Sequence, residues 1–293
     1  MKKFFLSLLR LSFPLLIYFL VVLFLDPFNY LGGNNENNLA RSIEPHLYKM
    51  ISHTNTPRRN IILGDSRSNA LYPIIQKNRN SSWSNLAYGG ASLKEMIDTF
   101  WWLDENYHMD TVVINVNFNH LNDYNKRDWI ISTKRLMQSP ISYAFSRYVL
   151  LYLFQKSLPN KREVHTYENK SKIVEKDIFW NSHLLSIKKK FYGEYKYSQS
   201  YLNDLNLIAS RCKERRIKLI IWSAPVHKDI HEIIDFYGNS PTYLNFVSDL
   251  DGICQYYDFN ARTEWLADKE NFNDAMHVKG EIMNSVFETI FEK

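Results

Sequence analysis

Three short stretches constrain this chain more than anything else in it: Ile61-Ile62-Leu63, Thr111 to Val116 and Ile217 to Trp222. Each is apolar or β-branched at nearly every position. A strand with one face in water alternates polar and apolar residues, whereas a strand covered on both faces does not, and buried parallel sheets are built from the second kind. Helical patterns lie between and after these runs: Ser66 to about Gln76, Ser92 to about Asn106, about Gln199 to Arg215, and Lys279 to Phe291. Ser92 with Glu95 three residues on is a capping-box start. The last helix has its apolar face at Ile282, Met283, Val286, Phe287 and Ile290. Ser84 to Ala87 and Tyr256 to Phe259 are shorter extended pieces. Strand alternating with helix predicts a three-layer α/β/α sandwich around a parallel sheet.

The N-terminus is a different material. Lys2, Lys3 and Arg10 precede or interrupt an apolar run from Phe4 to Leu25, and no charge occurs from Leu11 to Leu25. The run is about the ~20 residues that a bilayer requires. No small-residue cleavage site follows, since the chain continues Leu25-Asp26-Pro27-Phe28-Asn29-Tyr30. The positive charges all precede the span, and the next is Arg41. Residues 1–26 therefore read as an uncleaved signal anchor, a single transmembrane helix with a cytoplasmic N-terminus and an exported remainder. Residues 27–56 read as a polar linker with a short helix from about Leu39 to Ile51, and 57–293 as the domain. Within it, Asn122 to Ser198 breaks the rhythm: basic, rich in tyrosine, with Lys188-Lys189-Lys190 and helical character around Ile141 to Phe154. It reads as an insertion, and a packing flap, an acceptor-holding segment and a membrane-leaning one all fit it.

Composition narrows the partners. Apolar residues at 45% and aromatics at 15% suffice for a sizeable core. The net charge of +5 comes without an arginine-rich stripe or a nucleic-acid motif, so no nucleic-acid partner is expected. Cys212 shares an apolar helical stripe with Leu202, Leu205 and Ile208 and reads as a buried free thiol. A disulfide to Cys254 stays open for an exported chain, and the spacing carries no metal signature.

The first apolar run ends in Gly64-Asp65-Ser66, where an open parallel sheet places its ligands. A serine there sets its hydroxyl at the lip of the sheet; alone, the same residues are ordinary helix caps. A serine nucleophile needs a base, a group to orient it and donors for an oxyanion. Asp274, three residues before His277, can reach back to the ring Nδ1–H and leave Nε2 outward, as a general base requires. Helix capping and a surface histidine are the plainer alternatives. Gly89-Gly90 can present an unobstructed backbone N–H, or be a simple turn. Asn117 follows the second long strand, where its amide can overhang the same edge. Arg67 and His227 are candidates for contacting substrate, although His227 suits packing better. His227-Lys228-Asp229-Ile230-His231 spaces two histidines as zinc proteases do, but Lys228 stands where the motif needs glutamate, so no metal is expected. Phe100-Trp101-Trp102 can stack on a sugar or fill the core.

These blocks, in this order over residues 60 to 293, resemble the SGNH (GDSL-type) hydrolase superfamily. The resemblance implies a flavodoxin-like fold, Ser66 as nucleophile, Asp274 and His277 as triad acid and base, and an oxyanion hole from Ser66, Gly90 and Asn117. The third block departs from the family's Gly-x-Asn-Asp. It reads Asn115-Val116-Asn117-Phe118-Asn119, so Asn119 competes for the oxyanion role. One anchor followed by an exported SGNH-like domain looks like the envelope proteins that work beside membrane-bound O-acyltransferases in polysaccharide O-acetylation or teichoic-acid D-alanylation. The implied activity is hydrolysis or transfer of acyl (acetyl) esters on a cell-envelope glycan through an acyl-serine, with no cofactor. The alternative is a non-catalytic scaffold that partners such an acyltransferase.

Overall fold

The computed structural model describes residues 2–33, 35–71, 73–74, 82–158, 173–261 and 263–291, with side chains described from 12 onward in the first helix and from 176 onward in helix 173–187. The chain forms two compact units: residues 1–57 with 129–166, and residues 58–128 with 167–293.

The second unit is α/β. Its elements are β1 (Asn60–Leu63), α1 (Ser66–Asn69), β2 (Trp83–Asn85), α2 (Leu93–Asn106), β3 (Thr111–Asn115), α3 (Ile173–Ile187), α4 (Gln199–Arg215), β4 (Lys218–Ser223), α5 (Lys228–Phe236), α6 (Ser240–Ile253), β5 (Gln255–Asp258), β6 (Phe272–Asp274), β7 (His277–Val278) and α7 (Gly280–Phe291). The first five strands form one sheet in the order β2-β1-β3-β4-β5, every pair parallel. This is consistent with the three-layer sandwich expected from the alternation. Val112, Val113 and Ile114 are successive residues of β3, so their side chains point to both faces of the sheet, and all three are buried. The chain reverses its crossover direction between β1 and β3, which makes the carboxyl ends of those two strands the switch point.

Local signals account for several boundaries. Ser92 accepts from the Glu95 N–H at 3.2 Å while Glu95 accepts from the Ser92 N–H at 2.9 Å, closing the capping box of α2. Arg216 adopts a left-handed φ of +59° and ends α4. The helix expected from Ser66 to Gln76 is shorter: α1 stops at Asn69, and residues 72 and 75–76 lie outside the described residues. Two helices between β4 and β5 were not foreseen, although Pro241 in the first turn of α6 is a start signal. Cys212 and Cys254 are free thiols, each pushed up to about 12 by burial.

The other unit is helical, with helices Lys2–Leu25, Asn38–Ile43, Pro45–Asn55, Ile130–Gln138, Pro140–Ala144 and Arg147–Ser157. Val22, Phe28, Leu47, Ile51, Tyr143 and Val149 form its core. The helix expected over 39–51 is broken at Glu44, whose φ of −144° and ψ of 86° are the extended geometry that a following proline imposes. Among the described residues no helix is long and apolar enough to cross a membrane.

The stretch 122–198 divides between the units: 129–166 clusters with the N-terminal helices, and the remainder with the sheet. Residues 159–172 lie outside the described residues. Its two ends are stitched together at the sheet unit, where the Asp123 N–H donates to Lys196 O and the Ser198 N–H to Leu121 O, both at 2.8 Å.

Candidate active site

The turn from β1 into α1 is built around Gly64. A Cβ there would clash with Ser68 Oγ and stand 2.7 Å from Ser68 Cβ and 2.9 Å from Asn115 Cβ, so only glycine lets these side chains close over the turn. Asp65 caps α1 by accepting the Arg67 N–H at 2.9 Å. Ser66 follows as the first helical residue. Its hydroxyl leaves the sheet edge and meets His277 Nε2 at 2.7 Å.

The expected base and its orienting acid sit on a two-residue hairpin rather than an irregular loop. Asp274 ends β6, His277 begins β7, and the two residues pair directly across the antiparallel ladder. Cross-strand partners hold their Cβ atoms close, which brings the carboxylate onto the ring. His277 Nδ1 lies 2.8 Å from Asp274 Oδ1 and 2.9 Å from Oδ2. A carboxylate accepts only, so Nδ1 carries the proton, Nε2 is the acceptor, and Ser66 donates its hydroxyl proton to it. Burial pushes the Asp274 carboxyl up, but the His277 bond and the Met276 N–H outweigh it and hold the group below the usual carboxylate range. Three residues separated by more than 200 positions are thus in one hydrogen-bonded line.

The glycine turn is tied to the same place. The Tyr88 N–H donates to Gly64 O at 3.2 Å, and the Ala91 N–H closes the turn on Tyr88 O at 3.3 Å. Gly90 is its third residue, exposed and at φ +74°, the left-handed geometry that favours glycine.

Two expected roles are corrected, and for His227 the packing alternative is the one found. Asn117 is spent on the scaffold: its Oδ1 accepts the Ala224 N–H at 2.9 Å and its Nδ2 donates to Asn115 Oδ1 at 2.6 Å, splicing the ends of β3 and β4. Asn119 differs. Its Oδ1 accepts from Arg67 Nη2 at 3.1 Å, and its Nδ2 makes no hydrogen bond among the described residues. Arg67 does not reach outward for substrate. It is 3% exposed and grips both carboxylate oxygens of Asp65 through Nε, at 3.2 and 3.0 Å, with Nη2 at 2.5 Å from Oδ2. His227 is buried with both ring nitrogens engaged: Nε2–H donates to Ala267 O at 3.0 Å, and Nδ1 accepts the Asp229 N–H at the start of α5. Phe100 is fully buried, and Trp101 and Trp102 pack on the core.

Reading the sequence missed the brace beneath Ser66. His120 Nδ1 accepts the Asn117 N–H at 3.2 Å, so its proton is on Nε2, which donates to Asp65 Oδ2 at 3.1 Å. Burial lowers His120 and keeps it neutral despite the carboxylate. Burial alone would raise Asp65, but the Arg67 guanidinium and the His120 bond overcome it and hold that carboxyl far below its ordinary range. Asp65 was visible as the centre of Gly-Asp-Ser; nothing in the sequence marked His120 as its partner. Among the described residues no group of three histidine, cysteine or acidic side chains is placed to hold a metal ion.

Compared with known proteins, the chain matches no family model and no curated protein.

Proposed function

We propose that this protein is a serine acyl-ester enzyme of the SGNH type, anchored in a membrane and acting outside the cytoplasm on an O-acylated cell-envelope glycan. One observation carries the reading: Ser66 Oγ at 2.7 Å from His277 Nε2, with Nδ1 of the same ring at 2.8 Å from Asp274. Near-random packing does not produce a hydroxyl, an imidazole and a carboxylate in series with the correct tautomer at the switch point of a parallel sheet. The apolar run at the N-terminus supports the anchor, and the described part of that helix leaves Leu20 and Phe24 exposed.

In this reading Ser66 Oγ attacks the ester carbonyl as His277 Nε2 takes its proton. Asp274 keeps the ring oriented and stabilises the imidazolium. The tetrahedral oxyanion is held by the backbone N–H groups of Ser66 and Gly90 and by the Asn119 amide, which replaces Asn117 in that role. Collapse breaks the C–O bond, His277 returns its proton to the leaving alcohol, and an acyl-serine remains. Water then gives hydrolysis, or a sugar hydroxyl gives transfer. A membrane-bound O-acyltransferase is the natural donor partner for the second course.

The full chain in detergent, assayed on an aryl acetate beside Ser66→Ala and treated with a serine-directed phosphonate, tests this. Turnover and labelling of the wild type alone support it. If neither protein turns over and Ser66 takes no label, the chain is a scaffold that keeps the fold without the chemistry.

A further inference from the structure

The inserted helix α3 packs on the segment that carries the triad. Lys176 Nζ lies 2.5 Å from Glu270 Oε1, Lys269 Nζ lies 3.3 Å from Asp177 Oδ1, and Trp180 Nε1 donates to Asp229 Oδ2 at 2.8 Å. Trp180 is buried, edge-on to His227, with the Lys269 ammonium 5.1 Å above its ring. About one turn further along α3, His183 stacks on Phe179 and brings Nδ1 to 3.7 Å from Asp274 Oδ1. That nitrogen is buried and has no hydrogen-bond partner among the described residues. A buried ring nitrogen without a partner is unfavourable, so its place beside a carboxylate oxygen calls for a reason.

Asp274 has capacity for it. Its Oδ1 accepts from His277 Nδ1 and the Met276 N–H, and its Oδ2 from His277 alone. A carboxylate offers about four acceptor sites. The gap to His183 exceeds a hydrogen bond by less than an ångström, and such contacts commonly tighten only when substrate is bound. The other charged groups at this interface are already engaged: Lys176 and Lys279 with Glu270, Asp177 with Lys269, and Asp229 with Trp180.

We propose that His183 is a positioning residue for the triad: a second imidazole on Asp274, delivered by the inserted helix, that holds the carboxylate in the orientation His277 needs. This rests on reading Ser66, His277 and Asp274 as a catalytic triad. It gives the insertion a role in the site beyond packing.

The test uses the full chain with His183→Ala and His183→Asn, since an asparagine Nδ2 occupies nearly the place of a histidine Nδ1. On an aryl acetate, His183→Ala is expected to lower kcat about 10-fold and leave KM within about 2-fold, because orientation is lost and binding is not. His183→Asn is expected to keep most of the wild-type kcat. The downfield proton resonance of His277 Nδ1–H is expected to move in His183→Ala and to stay in place in His183→Asn. Wild-type kcat in His183→Ala, or equal loss of kcat and unfolding midpoint in both variants, overturns the proposal. If the wild type turns over nothing, the enzyme reading falls separately. The resonance then decides the positioning role alone: moved by alanine and kept by asparagine supports it, and unmoved by alanine overturns it.

Discussion

Arg67→Met tests whether the arginine beside the nucleophile braces the scaffold or touches substrate. In the wild type the guanidinium grips a carboxylate that is 5% exposed, and only two neutral donors, His120 Nε2–H and the backbone N–H of residue 67, would remain to satisfy Asp65 after the change. Removing one partner of a buried pair is destabilising by about 3–5 kcal/mol because it strands the other charge. The α/β unit has about 200 residues; at about 2.1 cal/mol/K per residue its unfolding entropy is about 0.4 kcal/mol/K, so the midpoint should fall by about 10 °C. The double variant Asp65→Asn/Arg67→Met removes both charges and should recover most of that loss.

The pH dependence gives a second handle, and its sign follows from the two states of Asp65. In the wild type its carboxyl is held far below the usual range, so its contribution is complete above the unfolded pKa and is lost only as pH falls through the depressed folded value. Without Arg67 the foremost group opposing the effect of burial is lost, and the folded carboxyl is expected to titrate above its unfolded value. Acidification from neutral pH toward about 4 then protonates Asp65 in the variant and shrinks the gap to wild type. Thermal unfolding of the full chain at several pH values reads both effects. An unchanged midpoint with a raised KM would refute the reasoning and return Arg67 to the substrate.

Three further outcomes follow from single features. Asn119→Ala should lower kcat by about 10²–10³ with little change in midpoint, the usual loss of an oxyanion donor, while Asn117→Ala should instead lower the midpoint by stranding the buried Ala224 N–H; parallel kinetics and melts separate them. Gly64→Ala should destabilise by about 1–3 kcal/mol and reduce phosphonate labelling of Ser66, since the added methyl meets Ser68 Cβ at 2.7 Å and Asn115 Cβ at 2.9 Å; a labelling rate equal to wild type would contradict the cradle. Lys49, in the helical unit, is lowered from 10.5 to about 7, first by burial and then by Arg41. The unfolded chain binds this proton more tightly, so stability should rise between about pH 7 and 10.5 by up to about 1.4 kcal/mol per unit, and Lys49→Met should flatten that slope in a pH series of melts.

The parts of this molecule that depend on nearby residues were readable in the sequence. Unalternating β-branched runs announced buried parallel strands because covering both faces leaves no place for polar alternation. The Ser92 cap needs only Glu95. The expected acid and base are only three residues apart, within reach of each other across one turn, so Asp274 and His277 could be matched before their partner was placed. The helical unit was less legible. Residues 129–166 share it with the first 57, and nothing local reports which remote segment an amphipathic stretch will pack on.

The asparagines of the carboxyl edge show where such reading stops. Asn115, Asn117 and Asn119 alternate along one short stretch, and all three have the same chemistry and similar burial. Asn117 becomes a strut because Ala224, at the end of a strand more than 100 residues away, presents an N–H to it. Asn119 keeps its amide nitrogen without a partner among the described residues while Arg67 takes its oxygen, and Arg67 is held there by Asp65. In the proposed reading, the choice of oxyanion donor propagates from the Gly-Asp-Ser turn itself: the same aspartate that caps the helix of Ser66 fixes the arginine, and the arginine turns the asparagine. Arg67→Met should accordingly lower kcat beyond what its loss of stability explains, when both are measured well below the variant's melting temperature. A kcat unchanged in the folded variant would break that chain of dependence and leave Asn119 oriented by something other than Arg67.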